Sequence, residues 1–426
     1  MKRSLIFFTL SACSAFAAAR PLPYPVIGTG QDRCYDNRSE IAAPKPGQPF
    51  YGQDAQHQGV KPDYKDNGNG TITDLNTGLT WVKARGEKMT WDDAVAGAAK
   101  CRAGGFSDWR MPAIKELYSL INFNGGCGGT EANSRPYLDT KHFDFVYGDT
   151  SKGVRIIDCQ DWSATQYTGK TMGGNATVFG VNFADGRIKG YPKAFPNGRS
   201  ARMYARYVRG NPAYGKNDFH DNGDGTLTDR ATGLMWQKAD SGKGLNWEEA
   251  LAWVQVKNRE KYLGHNDWRL PDTKELQSIV DYTRSPTATQ SPAISPLFQV
   301  TQLSDGEYPF FWTSTTHLDG PPDRQGGAAI YIAFGRATGW MQPHGNGGPN
   351  ARGPGMDGPH SGGPEPDRQP TGSAGSYRLT DVHGAGAQRS DPKAGDPKNF
   401  PHGRGPQGDV IRIYNFVRCV RGGDAR

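Results

Sequence analysis

The chain has 426 residues, enough for two or three domains of about 100–200 residues each. Its 50 basic and 43 acidic residues give a formal charge of +7, a surplus that mildly favours anionic partners. The 57 glycines, 30 prolines and 11% aromatic residues favour a turn-rich β protein over a helical bundle.

The N-terminus has the pattern of a secretion signal. Two basic residues precede an apolar run at residues 5–10 and a small-residue stretch at residues 15–19. We therefore predict a signal peptide at residues 1–19 and an exported protein, which would be periplasmic, cell-surface or secreted. An alternative remains open, because the residues before Cys13 also match a lipidation box and would make the protein an anchored lipoprotein. No later segment approaches the roughly 20 apolar residues that a transmembrane helix needs.

A Pro-rich lead at residues 20–61 follows the signal and contains Cys34. It has no counterpart elsewhere in the chain. We predict that it forms an arm packed on the first domain.

The remaining chain contains one succession of motifs twice. The Asn-Gly-Asn-Gly stretch within residues 66–74 returns as Asn-Gly-Asp-Gly within residues 221–229, and the TGLxW motif that ends at Trp81 returns at Trp236. Three further matches follow in the same order: residues 90–94 with 246–250, 108–117 with 267–276, and 206–210 with 418–422. Five ordered matches indicate a duplication. We predict one domain at residues 62–210 and a second at residues 217–422.

Each copy is predicted to contain a hairpin, two helices and further short strands. Asn-Gly and Asp-Gly turns predict the hairpins. Thr90 and Asn246 are predicted helix caps, each with an acidic residue three positions later. The apolar faces of these helices are predicted to consist of Trp91, Val95 and Ala98 in the first copy and of Trp247, Leu251 and Val254 in the second. The second helix of each copy is predicted to begin at Pro112 and Pro271.

An insert interrupts the second copy at residues 343–395. Gly, Pro, Asp and Arg dominate it, and it has too little apolar content to bury the surface that ordering requires. We predict an extended segment that ends where residues 397–404 repeat the pattern of residues 192–199.

Five cysteines follow the signal peptide. Cys127 and Cys159 flank an insertion that only the first copy carries, so we predict a disulfide between them. The pairing among Cys34, Cys101 and Cys419 stays open, and no spacing suggests a zinc site.

The order of the motifs DNGDGTxTD, TGLMW, DWRLPxxxEL, WTST and VRCVRG resembles the Lcl C-terminal domain family, a bacterial domain named after the end of a collagen-like surface adhesin. The resemblance covers about residues 62–210 and 217–422. It implies an α+β fold of two tandem C-type lectin-like domains, each a twisted, mostly antiparallel sheet with two helices. It also implies binding of sulfated glycosaminoglycan-like polymers. The sugar-binding and calcium-binding signature of C-type lectins is missing, so that chemistry is not carried over.

The two Asp-rich turns have the length of a calcium-binding loop. Lys65 and His220 occupy the third ligand position, however, and strands follow where a helix would be needed. The turns are therefore interpreted as polar hairpins, with calcium as the alternative and no other cofactor or metal predicted. Motifs of hydrolases, metalloproteases and nucleotide-binding enzymes are missing from the sequence, so no enzyme is predicted.

The DWRxP motif of each copy combines an acid, a tryptophan and an arginine shortly before a helical glutamate. We interpret the Arg and Glu as a structural ion pair and the tryptophans as core residues. The structural residues predicted in this way are Trp81, Asp108, Trp109, Arg110, Glu116, Trp236, Asp267, Trp268, Arg269 and Glu275.

A basic strip at the end of the first copy carries the clearest functional signal. Its residues are interleaved with aromatic ones, and residues 202, 204 and 206 would share one face of a final strand. The predicted ligand-binding residues are Arg187, Lys189, Lys193, Arg199, Arg202, Tyr204 and Arg206. We predict a cell-envelope binding protein for an anionic, sulfated polysaccharide or another surface component, since export disfavours nucleic acid. The alternatives are a structural or assembly module that docks a protein partner through the insert, and, third, an enzyme.

Overall fold

The computed structural model describes residues 22–57, 59–195, 197–320, 325–341, 377–405 and 407–422. The predicted signal peptide, Cys13 and residues 342–376 of the predicted insert lie outside these ranges. The arm contributes β1 (Cys34–Tyr35) and β2 (Glu40–Ile41). The first copy contains β3 (Tyr64–Asp66), β4 (Thr71–Asp74), β5 (Leu79–Val82), α1 (Trp91–Lys100), α2 (Ile114–Ser119), β6 (Asp161–Gln166), β7 (Thr177–Asn182), β8 (Arg187–Pro192) and β9 (Val208–Gly210). The second copy contains β10 (Phe219–Asp221), β11 (Thr226–Asp229), β12 (Leu234–Gln237), α3 (Trp247–Arg259), α4 (Thr273–Ser278), β13 (Phe310–His317), β14 (Ala328–Ala333), β15 (Thr338–Met341), β16 (Arg378–Asp381), β17 (Gln388–Pro392) and β18 (Val420–Arg421).

A small antiparallel sheet forms one side of each copy. Its strand order is β3-β4-β5-β9 in the first copy and β10-β11-β12-β18 in the second, so the last strand of each copy returns beside the TGLxW strand. Trp81 pairs with Val208, and Trp236 pairs with Val420. Both tryptophans are fully buried. The predicted hairpins and the α+β class are confirmed.

The two longer helices begin where the sequence predicts. The Thr90 side chain accepts a hydrogen bond from the Asp93 backbone N–H, and Asn246 forms a complete capping box with Glu249. The shorter helices start later than predicted, because Ala113 and Asp272 are their caps and each proline precedes the cap instead of opening the helix. No helix in the described ranges is long and apolar enough to cross a membrane.

A six-stranded antiparallel sheet joins the two copies, in the order β13-β14-β17-β8-β7-β6. At its centre Ile188 of β8 pairs with Gln388 of β17. Ile188 pairs on its other side with Val181, and Gln388 pairs with Ile332, so these two central residues occupy equivalent positions in their copies. Equivalent residues that face each other define a two-fold axis within one chain, the geometry of an isologous dimer interface.

The short helices cross at the same axis. Lys115 of α2 donates to the Ser278 carbonyl oxygen over 2.6 Å, and Lys274 of α4 donates to the Ser119 carbonyl oxygen over 2.8 Å. Each lysine thus binds the end of the other copy's helix, where carbonyl groups lack partners within the helix. These reciprocal contacts make the two copies one body.

Two strands lie in the segment that the sequence assigns to the insert. β16 pairs with β15, and β17 is the second-copy equivalent of β8. Pro392 and Lys393 therefore match Pro192 and Lys193, so the predicted match of residues 397–404 with 192–199 is wrong at its start. Its end is supported, because the Gly403 backbone N–H donates to the Phe400 carbonyl oxygen as Gly198 does to Phe195. The composition of the insert does not predict these short strands of mixed polarity, because their pairing depends on partners that are distant in the sequence.

The arm packs on both copies, so the prediction that it packs on the first domain is incomplete. Gln31 exchanges two hydrogen bonds of 2.9 Å with the backbone of Thr316 in β13. Lys393 donates to the Asp36 carbonyl oxygen over 2.9 Å. Contact with the first copy includes the Phe123 backbone N–H, which donates to the Thr29 carbonyl oxygen.

The predicted disulfide between Cys127 and Cys159 is absent, and all five described cysteines carry free thiols. Cys127 is held by backbone contacts to Leu318 of the second copy. The Cys159 thiol donates to the Ile156 carbonyl oxygen and lies 3.7 Å from Asn182 Oδ1. Different elements position the two thiols, so closeness in sequence does not bring them together.

His317 makes the seam between the copies sensitive to acid. Its Nδ1 lies 2.8 Å from Ser390 Oγ and its Nε2 lies 2.8 Å from the Asp185 carbonyl oxygen. Burial lowers the pKa of His317 to about 4 from its ordinary value of 6.5. Between these pH values the unfolded chain binds more protons than the folded one, so stability falls as the pH falls.

We predict that the wild-type free energy of unfolding drops between pH 7 and pH 5 by about 2 kcal/mol more than that of His317→Asn. Urea titrations of both proteins at the two pH values measure this difference. An equal drop in both would contradict this account, because it would show that folding leaves the pKa of His317 at its ordinary value.

Candidate functional site

The predicted basic strip does not share one face. The described final strand begins only at Val208, and Arg206 is fully buried before it. Its guanidinium donates to the carbonyl oxygens of Val82, Lys83 and Asp144, and burial lowers its pKa to about 10. The prediction that Arg206 binds a ligand is therefore wrong, because the residue serves as a clamp between backbone segments.

The second copy repeats this clamp. Arg418, which is equivalent to Arg206, is also fully buried. It donates to the carbonyl oxygens of Gln237, Ala239 and Gln299, each over 2.8 Å. Because the equivalent arginine connects the same backbone segments in both copies, its role is to stabilise the fold.

Arg187 and Lys189 also point away from solvent. Both lie in β8 at the seam, where Arg187 Nη1 is 3.2 Å from Asp185 Oδ2 and Nη2 forms an ion pair with Asp319 of the second copy. Lys189 Nζ is 3.7 Å from Asp185 Oδ2, and burial lowers its pKa to about 8. These two residues hold the copies together and are not available to a polymer.

The other predicted ligand-binding residues lie on the outside of the first copy. Lys193 Nζ is 3.5 Å from the centre of the Trp91 ring, and the exposed Arg202 donates to the Lys88 carbonyl oxygen over 3.0 Å. Lys88 Nζ is in turn 5.6 Å from the centre of the Tyr204 ring. We call this surface the basic face; it consists of Lys88, Trp91, Lys193, Arg199, Arg202 and Tyr204.

Cations outnumber carboxylates at the basic face, where the exposed Glu87 lies within electrostatic range of Tyr204. In the described part of the chain, no carboxylate forms an ion pair with Lys88, Lys193 or Arg202. Arg85 stacks on the inner side of Tyr204, with its guanidinium carbon 3.9 Å from the ring centre, and is paired with the buried Asp161. Tyr204 thus has one side occupied and remains half-buried.

Lys88 and Trp91 were not among the predicted ligand-binding residues. Lys88 lies just before the cap of α1. Trp91 was assigned to the core from its helical spacing, yet it is half-buried and donates only its Nε1–H inward, to the Ser163 carbonyl oxygen. The sequence offers one signal for Lys88, which stands where the second copy has Gly244, and none for Trp91, whose equivalent is also a tryptophan.

The DWRxP motif of each copy joins its short helix to its last strand. Arg110 forms two hydrogen bonds of 2.6 Å with Glu116, and Arg269 makes the same paired contact with Glu275. The leading acid of each motif pairs with the arginine of the last strand: Asp108 with Arg209 and Asp267 with Arg421, both at 2.7 Å. Trp109 and Trp268 are buried.

The Asp-rich turns use their carboxylates within the protein. Asp66 accepts from the Gly68 backbone N–H and pairs with Lys83, and Asp221 does the same with Gly223 and Lys238. Within the described ranges, no group of three or more His, Cys, Asp or Glu side chains could hold a metal ion. Calcium remains without support from these turns.

A cleft of about 490 Å³ lies between the arm, the first-copy insertion and the second copy. Arg33, Tyr35, Arg135 and Gln325 contribute to its lining. Arg33 forms an ion pair with Glu40 of the arm at 2.9 Å. This carboxylate compensates one of the two arginines that line the cleft.

The sequence matches the Lcl C-terminal domain over residues 70–209 and 225–347. The chain belongs to the Lcl C-terminal domain family. The two matched ranges lie within the two copies, and β16 to β18 lie beyond the end of the second range. The family is not a known enzyme family and points to a surface or secreted protein. No curated protein and no solved structure matches the chain.

We predict that Arg206→Ala lowers the free energy of unfolding by about 3 kcal/mol or more, because it removes a buried guanidinium and strands three backbone carbonyl groups. Arg202→Ala, four residues earlier and exposed, should change it by less than about 0.5 kcal/mol. Urea unfolding of the two variants measures both values. Similar losses would contradict the assignment of Arg206 to the fold and Arg202 to the surface.

Proposed function

We propose that this protein is an exported binding protein that holds an anionic polymer on the basic face of the first copy. The observation that carries the proposal is the group of three cations, Lys88, Lys193 and Arg202, which surround two half-buried aromatic rings without a carboxylate partner in the described ranges. Ammonium and guanidinium groups bind sulfate, phosphate and carboxylate, and the rings add contact area.

The shape of the face favours a polymer over a small molecule. The face is an open surface spread over α1, the segment before it and the segment before β9, whereas small ligands bind in concave pockets that enclose them. A single exposed ionic contact contributes only about 0.2–1 kcal/mol, so useful affinity requires several contacts to one extended ligand. A sulfated polysaccharide, which the family resemblance implies, has the repeating charge that such a surface needs.

Export is part of the same proposal and is supported by the basic, apolar and small-residue pattern at residues 1–19. Cleavage after the small residues would release the protein outside the cytoplasm, whereas lipidation of Cys13 would keep it on a membrane surface. Either outcome exposes the basic face to envelope or extracellular polymers.

Binding is favoured over catalysis by the surroundings of the best-placed bases. His317 and His383 are buried, and burial lowers the pKa of each to about 4. His383 Nε2 is bound to Asp409 at 2.8 Å beside Arg389, at the seam. Both ring nitrogens of His317 and Nε2 of His383 thus have structural partners.

We predict that removal of the three cations (Lys88→Ala, Lys193→Ala and Arg202→Ala together) raises the Kd for heparin about tenfold, since three exposed ionic contacts are lost. Surface plasmon resonance at several salt concentrations measures this change. Wild-type binding should weaken with salt, and the salt dependence of the variant should be shallower.

A matched control removes three exposed charges elsewhere, by Lys216→Ala, Arg230→Ala and Lys243→Ala. Because both triple variants lose the same net charge, only the first should lose affinity. Equal losses would indicate attraction by net charge alone, and unchanged binding of the first variant would place the site elsewhere.

A further inference from the structure

The arm covers one face of the second copy, and within the described ranges the equivalent face of the first copy is open. Leu251 of α3 is 1% exposed under the arm, whereas Val95, its equivalent in α1, is 42% exposed. The same contrast holds along the whole face. The buried second-copy residues are Trp247, Leu251, Ser314, Thr315, Thr316 and Lys393, and their half-buried or exposed first-copy equivalents are Trp91, Val95, Ala164, Thr165, Gln166 and Lys193.

The arm binds the second-copy face by three kinds of contact. Phe50 packs on Trp247, with ring centres 6.3 Å apart. Asp54 accepts a hydrogen bond of 2.5 Å from Thr315 Oγ1. The Asp36 carbonyl oxygen accepts a hydrogen bond from Lys393, so an aromatic ring, a carboxylate and the peptide backbone each have a defined partner.

The first copy presents these partners in the same geometry. Trp91 donates to the Ser163 carbonyl oxygen over 2.9 Å, as Trp247 does to the Thr313 carbonyl oxygen over 2.8 Å. Lys193 Nζ is 3.5 Å from the centre of the Trp91 ring, and Lys393 Nζ is 3.9 Å from that of Trp247. The side chains are thus already held as they are in the occupied face.

A hydroxyl group is available at the matching place as well. Thr165 Oγ1 accepts from the Ile114 backbone N–H over 3.0 Å, and Thr315 Oγ1 accepts from the Thr273 backbone N–H over 3.1 Å. The Thr315 hydroxyl proton goes to Asp54 of the arm. Because Thr165 Oγ1 accepts from the equivalent backbone N–H, its hydroxyl has the same orientation as that of Thr315. A carboxylate placed like Asp54 would accept a hydrogen bond from it.

We propose that this open face of the first copy binds an extended polypeptide segment of a partner protein, in the way that the arm binds the second copy. The segment carries an aromatic side chain for Trp91 and Val95, a carboxylate for Thr165 and a backbone carbonyl for Lys193. The inference rests on the proposed function, since Trp91 and Lys193 belong to the basic face, and it narrows the ligand from any anionic polymer to a polypeptide.

The charge around the face indicates how the partner differs from the arm. Lys88 and Arg202 border the open face, whereas Gly244 and Tyr414 hold the equivalent positions in the second copy. The partner segment is therefore more acidic than the arm, which has similar numbers of acidic and basic residues. Complementary charge of this kind sets specificity and the rate of association.

The arm itself supplies the probe. A fluorescein-labelled peptide of residues 28–57, with Cys34→Ser to prevent oxidation, is titrated with the mature full-length protein and followed by fluorescence anisotropy. Because the second-copy face is occupied, binding reports on the first copy. We expect saturable binding that Val95→Asp weakens at least tenfold, and that Leu75→Asp, which changes another exposed apolar residue of the same copy, leaves unchanged.

A parallel titration with heparin separates this inference from the proposed function. Heparin binding without peptide binding would overturn the polypeptide inference and leave the proposed function intact. Failure of both ligands would overturn both. Peptide binding that Val95→Asp does not weaken would also overturn the inference, because the peptide would then occupy another surface.

Discussion

The pairing of Ile188 with Gln388 is the contact on which the rest of the structure depends. Without it β8 and β17 would each be the edge of a three-stranded sheet, with unpaired backbone groups open to aggregation. Pairing β8 with β17 satisfies the backbone groups of both edge strands and places the copies around a two-fold axis. It also buries charge, and the Arg187 guanidinium is compensated by Asp185 and Asp319 from the two sides of the seam. An unpaired buried charge is very costly, so this register is strongly preferred over its alternatives.

The two copies are related by a two-fold axis, but the single N-terminal arm has no symmetry-related equivalent. A chain has one N-terminus, so only one of two equivalent faces can receive it, and the second copy does. The consequence is visible at Leu251 and Val95, which have the same place in the repeat and opposite exposure. Lys393 and Lys193 show the same contrast. Duplication therefore leaves a face of the first copy that the arm does not cover, and the basic residues Lys88 and Arg202 at its border distinguish it from the covered one.

Sequence patterns that depend on interactions between nearby residues predict much of this fold. The caps at Thr90 and Asn246 depend on hydrogen bonds within four residues, and the sequence pattern identifies them correctly. Features that depend on distant partners could not be predicted in this way. Alternation of residues predicts that Arg206 lies on an exposed strand face, but the chain there is not a strand and the guanidinium donates to buried backbone carbonyl groups. The position of Val95 agrees with the pattern of an amphipathic helix. Whether its side chain is buried depends on which copy the arm covers.

The central claim is that the arm covers the second-copy face and leaves the first-copy face open. Lysine modification by an N-hydroxysuccinimide ester, read by mass spectrometry on the native full-length protein, tests it at two equivalent residues. The account predicts that Lys193 reacts readily while Lys393, which is fully buried beneath the arm, stays protected. Equal reactivity of Lys193 and Lys393 would contradict it.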